Sequence, residues 1–106
     1  MKLSVIIVSY NVKYYIDQCL RSVLKAIDMV DVERKGNQVE IIVVDNHSTD
    51  GSVEYLEKRY PKNLYPMLKI VSSVHNLGFA RANNIAIRQS KGAYVLLLNP
   101  DTIVGE

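Results

Sequence analysis

Four short apolar runs, each followed by a stretch of different period, restrict this chain to a narrow choice of architectures. Leu3-Ser4-Val5-Ile6-Ile7-Val8 is β-branched and almost continuous, which suits a strand covered on both faces. Val12, Ile16, Cys19, Leu20, Val23, Leu24 and Ile27 then recur every three or four residues and draw one apolar stripe along a helix of about four turns. A polar connector, Asp31 to Gln38 with Gly36 and Asn37 in it, leads to a second strand, Val39 to Val44. Asp50-Gly51-Ser52 opens a shorter helix with Val53, Leu56 and Tyr60 on one face, and Pro61 ends it. Leu68 to Val71 reads as a third strand and Phe79 to Gln89 as a third helix, with Ser90-Lys91-Gly92 as its exit. Tyr94 to Leu98 is a fourth strand, apolar throughout and read as buried.

Strand and helix alternating in this way imply right-handed crossovers and a parallel sheet. The expected fold class is α/β: a Rossmann-like, doubly wound, three-layer α/β/α unit with a mostly parallel four-stranded sheet. Strand order 3-2-1-4 is expected, because it puts a switch point between the first and fourth strands, where open α/β sheets bind ligands. The 106 residues, 48% hydrophobic and 23% charged, have the balance of one globular domain covering 1–106, with no internal repeat or linker. The net charge is +2, and the 13 Lys and Arg are scattered, which argues against a nucleic-acid or membrane patch. Cys19 is the single cysteine; it is expected as a small buried helix side chain in a reducing compartment. The run Leu3 to Val8 is short for a signal segment, and no stretch nears the roughly 20 apolar residues of a membrane span. The expected location is cytoplasmic.

Polar residues gather just past each strand. Ser9, Tyr10 and Asn11 follow the first; Asp45, Asn46, His47 and Ser48 the second; Ser72, Ser73, His75 and Asn76 the third; Asn99 and Asp101 the fourth. Ser48, Thr49 and Asp50 are expected to cap the helix that follows them. Asp45 comes directly after Val44, too early for a simple cap, and is expected to bind ligand. Neither G-x-G-x-x-G nor G-x-x-x-x-G-K-[ST] occurs, which weakens dinucleotide and P-loop readings. His47 and His75 lack zinc-site spacing and are expected in loop or helix-edge roles without catalysis. Asn99-x-Asp101 better fits a hard cation, Mg²⁺ or Mn²⁺, held by carboxyl oxygen, water and a diphosphate, with Pro100 stiffening the turn.

Four blocks together carry a resemblance: Ser4-Val5-Ile6-Ile7-Val8-Ser9-Tyr10-Asn11; Ile42-Val43-Val44-Asp45-Asn46-His47-Ser48-Thr49-Asp50-Gly51; Asn76-Leu77-Gly78-Phe79-Ala80-Arg81-Ala82-Asn83-Asn84; and Leu97-Leu98-Asn99-Pro100-Asp101-Thr102. The chain resembles the amino-terminal, nucleotide-sugar-binding half of a family 2 glycosyltransferase with the GT-A fold. Within the family, the Asn-Pro-Asp-Thr and Gly-Phe-Ala blocks look most like rhamnosyltransferase-type members. The resemblance implies that Asp45 meets the nucleotide base, since a carboxylate accepts from the imide N–H of uracil or thymine. It implies that Ser9 and Asn11 line base and ribose, that Gly78, Arg81 and Asn83 close over the nucleotide, and that Asn99 contacts the ribose. Asp101 matches the metal-binding end of the family's D-x-D motif. Asn99 stands where that motif has its first carboxylate, so weaker metal binding is expected.

What the resemblance implies for function is the donor half of a glycosyltransferase, binding a UDP- or dTDP-sugar with Mn²⁺ or Mg²⁺ for transfer to an unknown acceptor glycan or lipid-linked glycan. The catalytic base is expected beyond Glu106, the chain being read as truncated after the D-x-D-like motif and inactive alone. A larger protein would work in polysaccharide biosynthesis, in the cytoplasm or at the cytoplasmic membrane face. The expected partners include no nucleic acid, and a homodimer through apolar surface left open by truncation is an expectation too. Two other readings stay open: a nucleotidyltransferase, although Ser9-Tyr10-Asn11-Val12-Lys13 lacks its Gly-rich phosphate loop, and a noncatalytic doubly wound interaction module.

Overall fold

In the computed structural model, which describes residues 3–34 and 39–101, the chain forms β1 (Leu3–Ser9), α1 (Lys13–Arg34), β2 (Val39–Asp45), α2 (Ser52–Arg59), β3 (Leu68–Ser72), α3 (Phe79–Gln89) and β4 (Tyr94–Leu98). The strands form one sheet in the order β3-β2-β1-β4, and every neighbouring pair is parallel. This is the order expected from the switch-point argument, with the switch point between β1 and β4.

Alternation along the central strands sorts the core into two layers. Val5 and Ile7 of β1, with Ile41 and Val43 of β2, face α1 and α2 and pack against Ile16, Cys19, Leu20, Val23 and Leu56. Ile6 and Val8, with Ile42 and Val44, face α3 and pack against Ala82 and Ala86. Small side chains on α3 let it lie close over β1 and β2. Cys19 is buried in the first layer, as its place in the apolar stripe implied.

Three features differ from the sequence reading. Helix α1 has 22 residues, not about four turns: it continues through Asp31 to Arg34, where the polar pattern suggested a connector. Helix-tolerant residues extend to Arg34 before Gly36 interrupts them; residues 35–38 of that connector lie outside the described residues. Ser9 and Asp45 are the last residues of β1 and β2, not the first beyond them. Strand β4 is not buried: Tyr94, Val95, Leu96 and Leu97 are 67%, 42%, 44% and 48% exposed. Its position at the sheet edge explains this, because the helices cover β1 and β2 and only Leu98 of β4 reaches a core cluster.

Two polar clamps hold the layers together. On α1, buried Asp17 accepts from the hydroxyls of Tyr60 (2.5 Å) and Tyr55 (3.0 Å), both contributed by the α2 segment. Arg59 (3.1 Å) and Arg21 (3.3 Å) pair with the same carboxylate, so one buried charge ties α1 to α2. Toward the start of the strands, Ser4 Oγ donates to Glu40 Oε2 (2.5 Å), which also accepts the Lys91 amide (2.6 Å), while the Gly92 amide donates to Ser4 Oγ (2.9 Å). The clamp leaves no room at Gly92, where a Cβ would stand 2.6 Å from the Ser4 backbone nitrogen.

Two measurements follow from the second clamp. Gly92→Ala is expected to lower unfolding free energy by about 1–3 kcal/mol in chemical denaturation, since backbone must shift to admit the methyl. Burial alone would raise the Glu40 carboxyl, but donation from Ser4 and the Lys91 amide outweighs it and holds the group below its ordinary 4.5. A carboxyl lowered in the folded state stabilises above its ordinary value, and that contribution disappears as pH falls through the lowered one. Stability measured across acid pH should therefore decline below about 4.5, and Glu40→Gln should flatten the decline.

Candidate functional site at the carboxyl rim of the sheet

The register of β1, β2 and β3 aligns Ser9, Asp45 and Ser72 at one rim. Ser9 and Asp45 continue the odd-numbered series and therefore project toward the α1 and α2 side. Both are essentially inaccessible to solvent, at 0% and 2%. Asp45 Oδ2 accepts the Ser48 amide at 2.9 Å, which shapes the turn leaving β2. Asp45 Oδ1 and Ser9 Oγ have no hydrogen-bond partner at all. An unpaired buried polar atom costs about 1–3 kcal/mol, and here an acceptor and a hydroxyl sit on paired residues of neighbouring strands. The other such atom among the described residues, Gln89 Oε1, belongs to the last residue of α3, far along the helix from the rim.

The loops above this pair are cross-braced. Asn11 has φ 51°, a left-handed conformation that asparagine tolerates, and its Oδ1 accepts the Thr49 amide at 2.7 Å. Its own amide donates to Ser48 Oγ at 2.9 Å. Asn11 thus reaches the rim, but its side-chain oxygen is committed to the loop after β2. Asp50 joins the amino ends of two helices: Oδ2 accepts the Lys13 amide (3.1 Å) and Oδ1 accepts the Ser52 amide (3.1 Å) as well as the Ser52 hydroxyl. Burial would raise its carboxyl; donation from Ser52 and Lys13 holds it below the ordinary value. Of the three residues read as caps, Asp50 alone holds helix-start amides; the N-cap of α2 is Gly51, which makes no side-chain cap bond, and Ser48 and Thr49 engage Asn11 instead. His47 and His75 are exposed in loops.

On the α3 side, a cleft of about 330 Å³ is lined by Val8, Tyr10 and Val12 from the β1 side, Asn46, Asn76, Gly78 and Phe79, and Pro100 beyond β4. It opens at the β1–β4 switch point. Gly78 lies on its wall with φ 80° and ψ 164°, backbone angles that favour glycine and launch α3. Asn83 is buried on the inner face of α3, whereas Arg81 lies in a separate exposed groove with Leu77, Asn84, Ile85 and Arg88. Arg81 and Asn83 therefore flank the cleft and do not line it.

The turn Asn99-Pro100-Asp101 follows β4 and rests against α1. Cys19 Sγ lies 3.8 Å from the Asn99 carbonyl oxygen, to which it donates. Burial, with the Asp101 charge adding to it, pushes the Cys19 thiol up to about 11. Asp101 itself is exposed, and no group of three or more His, Cys, Asp or Glu converges among the described residues. That donor set fits a hard cation that takes one carboxylate and completes its shell with phosphate oxygen and water; it does not form a closed cage. Thr102 lies outside the described residues. Asn46 and Asn76 were legible only as two polar loop residues among several, yet the structure makes them part of the cleft wall. The one sequence signal available was that Asn46 continues the even-numbered series of β2, which faces α3.

The chain is similar to several known glycosyltransferases. The chain is 33% identical over 105 residues to a poly(ribitol-phosphate) beta-glucosyltransferase of Bacillus spizizenii, a match covering 99% of this chain and 16% of that protein. It superposes on Staphylococcus aureus TarS 1-349 in complex with UDP with a TM-score of 0.76 and 34% identity, over 95% of this chain and 28% of that one. The mannosyltransferase PcManGT of Pyrobaculum calidifontis, in complex with GDP-Man and Mn²⁺, superposes with a TM-score of 0.80 at 27% identity, over 94% of this chain and 27% of that one. The chain thus spans between a sixth and somewhat over a quarter of these relatives. The family model for glycosyl transferase family 2 matches residues 4–106, from the second residue of β1 through the turn after β4. A parallel sheet whose rim carries these motifs in this order, matched over almost its whole length, makes the chain a member of glycosyl transferase family 2.

Proposed function

We propose that the chain is the donor-binding part of a glycosyltransferase and holds a UDP- or dTDP-sugar together with Mn²⁺ or Mg²⁺. The observation that carries the reading is the pair of unpartnered buried atoms, Asp45 Oδ1 and Ser9 Oγ. A pyrimidine imide offers an N–H donor beside a carbonyl acceptor, and the pair offers an acceptor beside a hydroxyl donor. Binding would therefore satisfy two groups that folding leaves desolvated. The relatives support a nucleotide ligand: one solved structure contains UDP, and another contains GDP-Man and Mn²⁺.

In this reading each part of the rim has one task. Asp45 and Ser9 hold the base, and Asn11, already fixed by Thr49, sets the ribose side of the pocket. The Asn76–Gly78 segment and the start of α3 border the cleft into which the diphosphate extends, with Arg81 and Asn83 at its flank. Asn99 approaches the ribose, and Asp101 supplies the carboxylate for the cation. When bound, that cation neutralises charge developing on the departing diphosphate. The acceptor is a hydroxyl of a glycan or lipid-linked glycan.

Calorimetric titration with UDP and with dTDP in the presence of Mn²⁺ tests this directly, and a folded protein that binds neither would overturn it. Asp45→Asn keeps an oxygen for the Ser48 amide but turns an NH₂ toward the imide. Its nucleotide affinity is expected to fall at least tenfold, on the order of the 1.4 kcal/mol that one lost or opposed hydrogen bond represents, with an unchanged melting temperature. A second carboxylate should raise the affinity of the metal site, so Asn99→Asp is expected to bind Mn²⁺ more tightly in the presence of UDP. Mn²⁺ titration followed by electron paramagnetic resonance would read the difference.

A further inference from the structure

The geometry points to Asn46 as a positioning residue that holds the Asn76–Gly78 loop, and through it the start of α3, in place for the diphosphate; this role rests on the nucleotide reading above. Asn46 is 4% exposed and sits one residue past β2. Its amide donates to the Ser9 carbonyl at 2.8 Å, which locks it to the tip of β1 beside the unpartnered Ser9 hydroxyl. Its carboxamide then works at both ends. Oδ1 accepts the Leu77 amide at 2.8 Å, and Nδ2 donates to Asn76 Oδ1 at 3.0 Å. Asn76 Oδ1 also accepts the Gly78 amide at 2.9 Å.

Two consecutive loop amides, Leu77 and Gly78, are thus held by side-chain oxygens. Immediately afterwards the Gly78 carbonyl accepts the Ala82 amide at 3.2 Å, opening α3. The direction in which α3 leaves, and with it the placement of Arg81 and Asn83, depends on the contact made by Asn46. The orientation of both amides is determined by the backbone donors they meet: the Leu77 N–H requires oxygen at one end of Asn46, and the Gly78 N–H requires oxygen on Asn76. What remains between them is N–H to oxygen, in one direction only.

No other side chain of similar size does this. Aspartate could accept from Leu77, but its second oxygen would face the Asn76 oxygen with no hydrogen between them. Asn76 could not turn over to relieve this without losing Gly78. Alanine or leucine would leave the Leu77 amide without its acceptor and Asn76 Oδ1 without the donor that orients it. Because Asp45 and Ser9 project to the other face of the sheet, an Asn46 variant should disturb the diphosphate end of the site and spare the base.

The test uses Asn46→Asp, read by amide hydrogen exchange in the unliganded protein and by binding of uridine and of UDP with Mn²⁺. Exchange at Leu77 and Gly78 is expected to accelerate at least tenfold, while Ile6 and Ile42 in the sheet keep their protection. UDP affinity is expected to fall about 10-fold, the scale on which supporting hydrogen-bond partners act, and uridine affinity by less than about threefold. Asn76 is exposed, so Asn76→Ala, which removes the acceptor of the Gly78 amide, should accelerate exchange at Gly78 and weaken UDP more than uridine if Asn46→Asp does not fold. Unchanged exchange at Leu77 and Gly78, or equal weakening of uridine and UDP, would overturn the role. Absence of uridine and UDP binding by the parent protein would instead overturn the nucleotide reading, with the exchange data still reporting whether Asn46 holds the loop.

Discussion

The structure depends on the in-register parallel pairing of β1 with β2. Both strands are buried on both faces, so neither can slip: a shift of one residue would carry Val5 and Ile7 to the α3 side and Ile6 to the α1 side, against helices shaped for other partners. The same pairing places Ser9 opposite Asp45, and the candidate site is a consequence of that alignment. The apolar interior that makes these strands pair strongly also strips water from their last residues. A hydroxyl and a carboxylate oxygen are left without partners there because the strands around them had to be dry.

Polar groups at the rim fall into two sets. Asp50, Ser48, Asn11 and Asn46 each engage one or more backbone amides, joining loops that are distant in sequence. Asp45 belongs to both sets, since one oxygen shapes the turn and the other stays open. A rigid frame of satisfied bonds around a small unsatisfied centre is how a site can be held ready before its ligand arrives. The nearby Cys19 belongs to the frame, as a buried thiol resting on the carbonyl of Asn99.

Much of this was legible in the residues. The parallel sheet came from connection length and handedness, the strand order from the place a switch point needs, and the limits of α3 and β4 from Gly78, Gly92 and the changes of period around them. What was not legible depended on neighbours. Tyr94 to Leu97 looks the same in sequence whether a helix covers it or not; only the sheet order shows that it sits at an edge. The continuation of α1 through Asp31 to Arg34 was hidden because charged residues suit a solvated helix and a loop equally well. Asp45 stood out because it came too early for a cap, whereas Asn46 beside it resembled any turn former. Its importance comes from Asn76, thirty positions away, and from two amides that no pattern of residue types could have brought to it.

Strand β1 pairs with β4 through residues far apart in sequence, Leu3 with Tyr94. Strand β1 therefore has both of its edges filled only after β2, β3 and the three helices have been made. At about 5–20 residues per second, the interval between making the two is on the order of ten seconds, long compared with the microseconds in which helices and hairpins form. Throughout that time a β-branched strand with one open edge has only β2, and then the helices, to protect it. Assembly of the switch point, and of the cleft beside it, must wait for β4, the last of these four strands to be made.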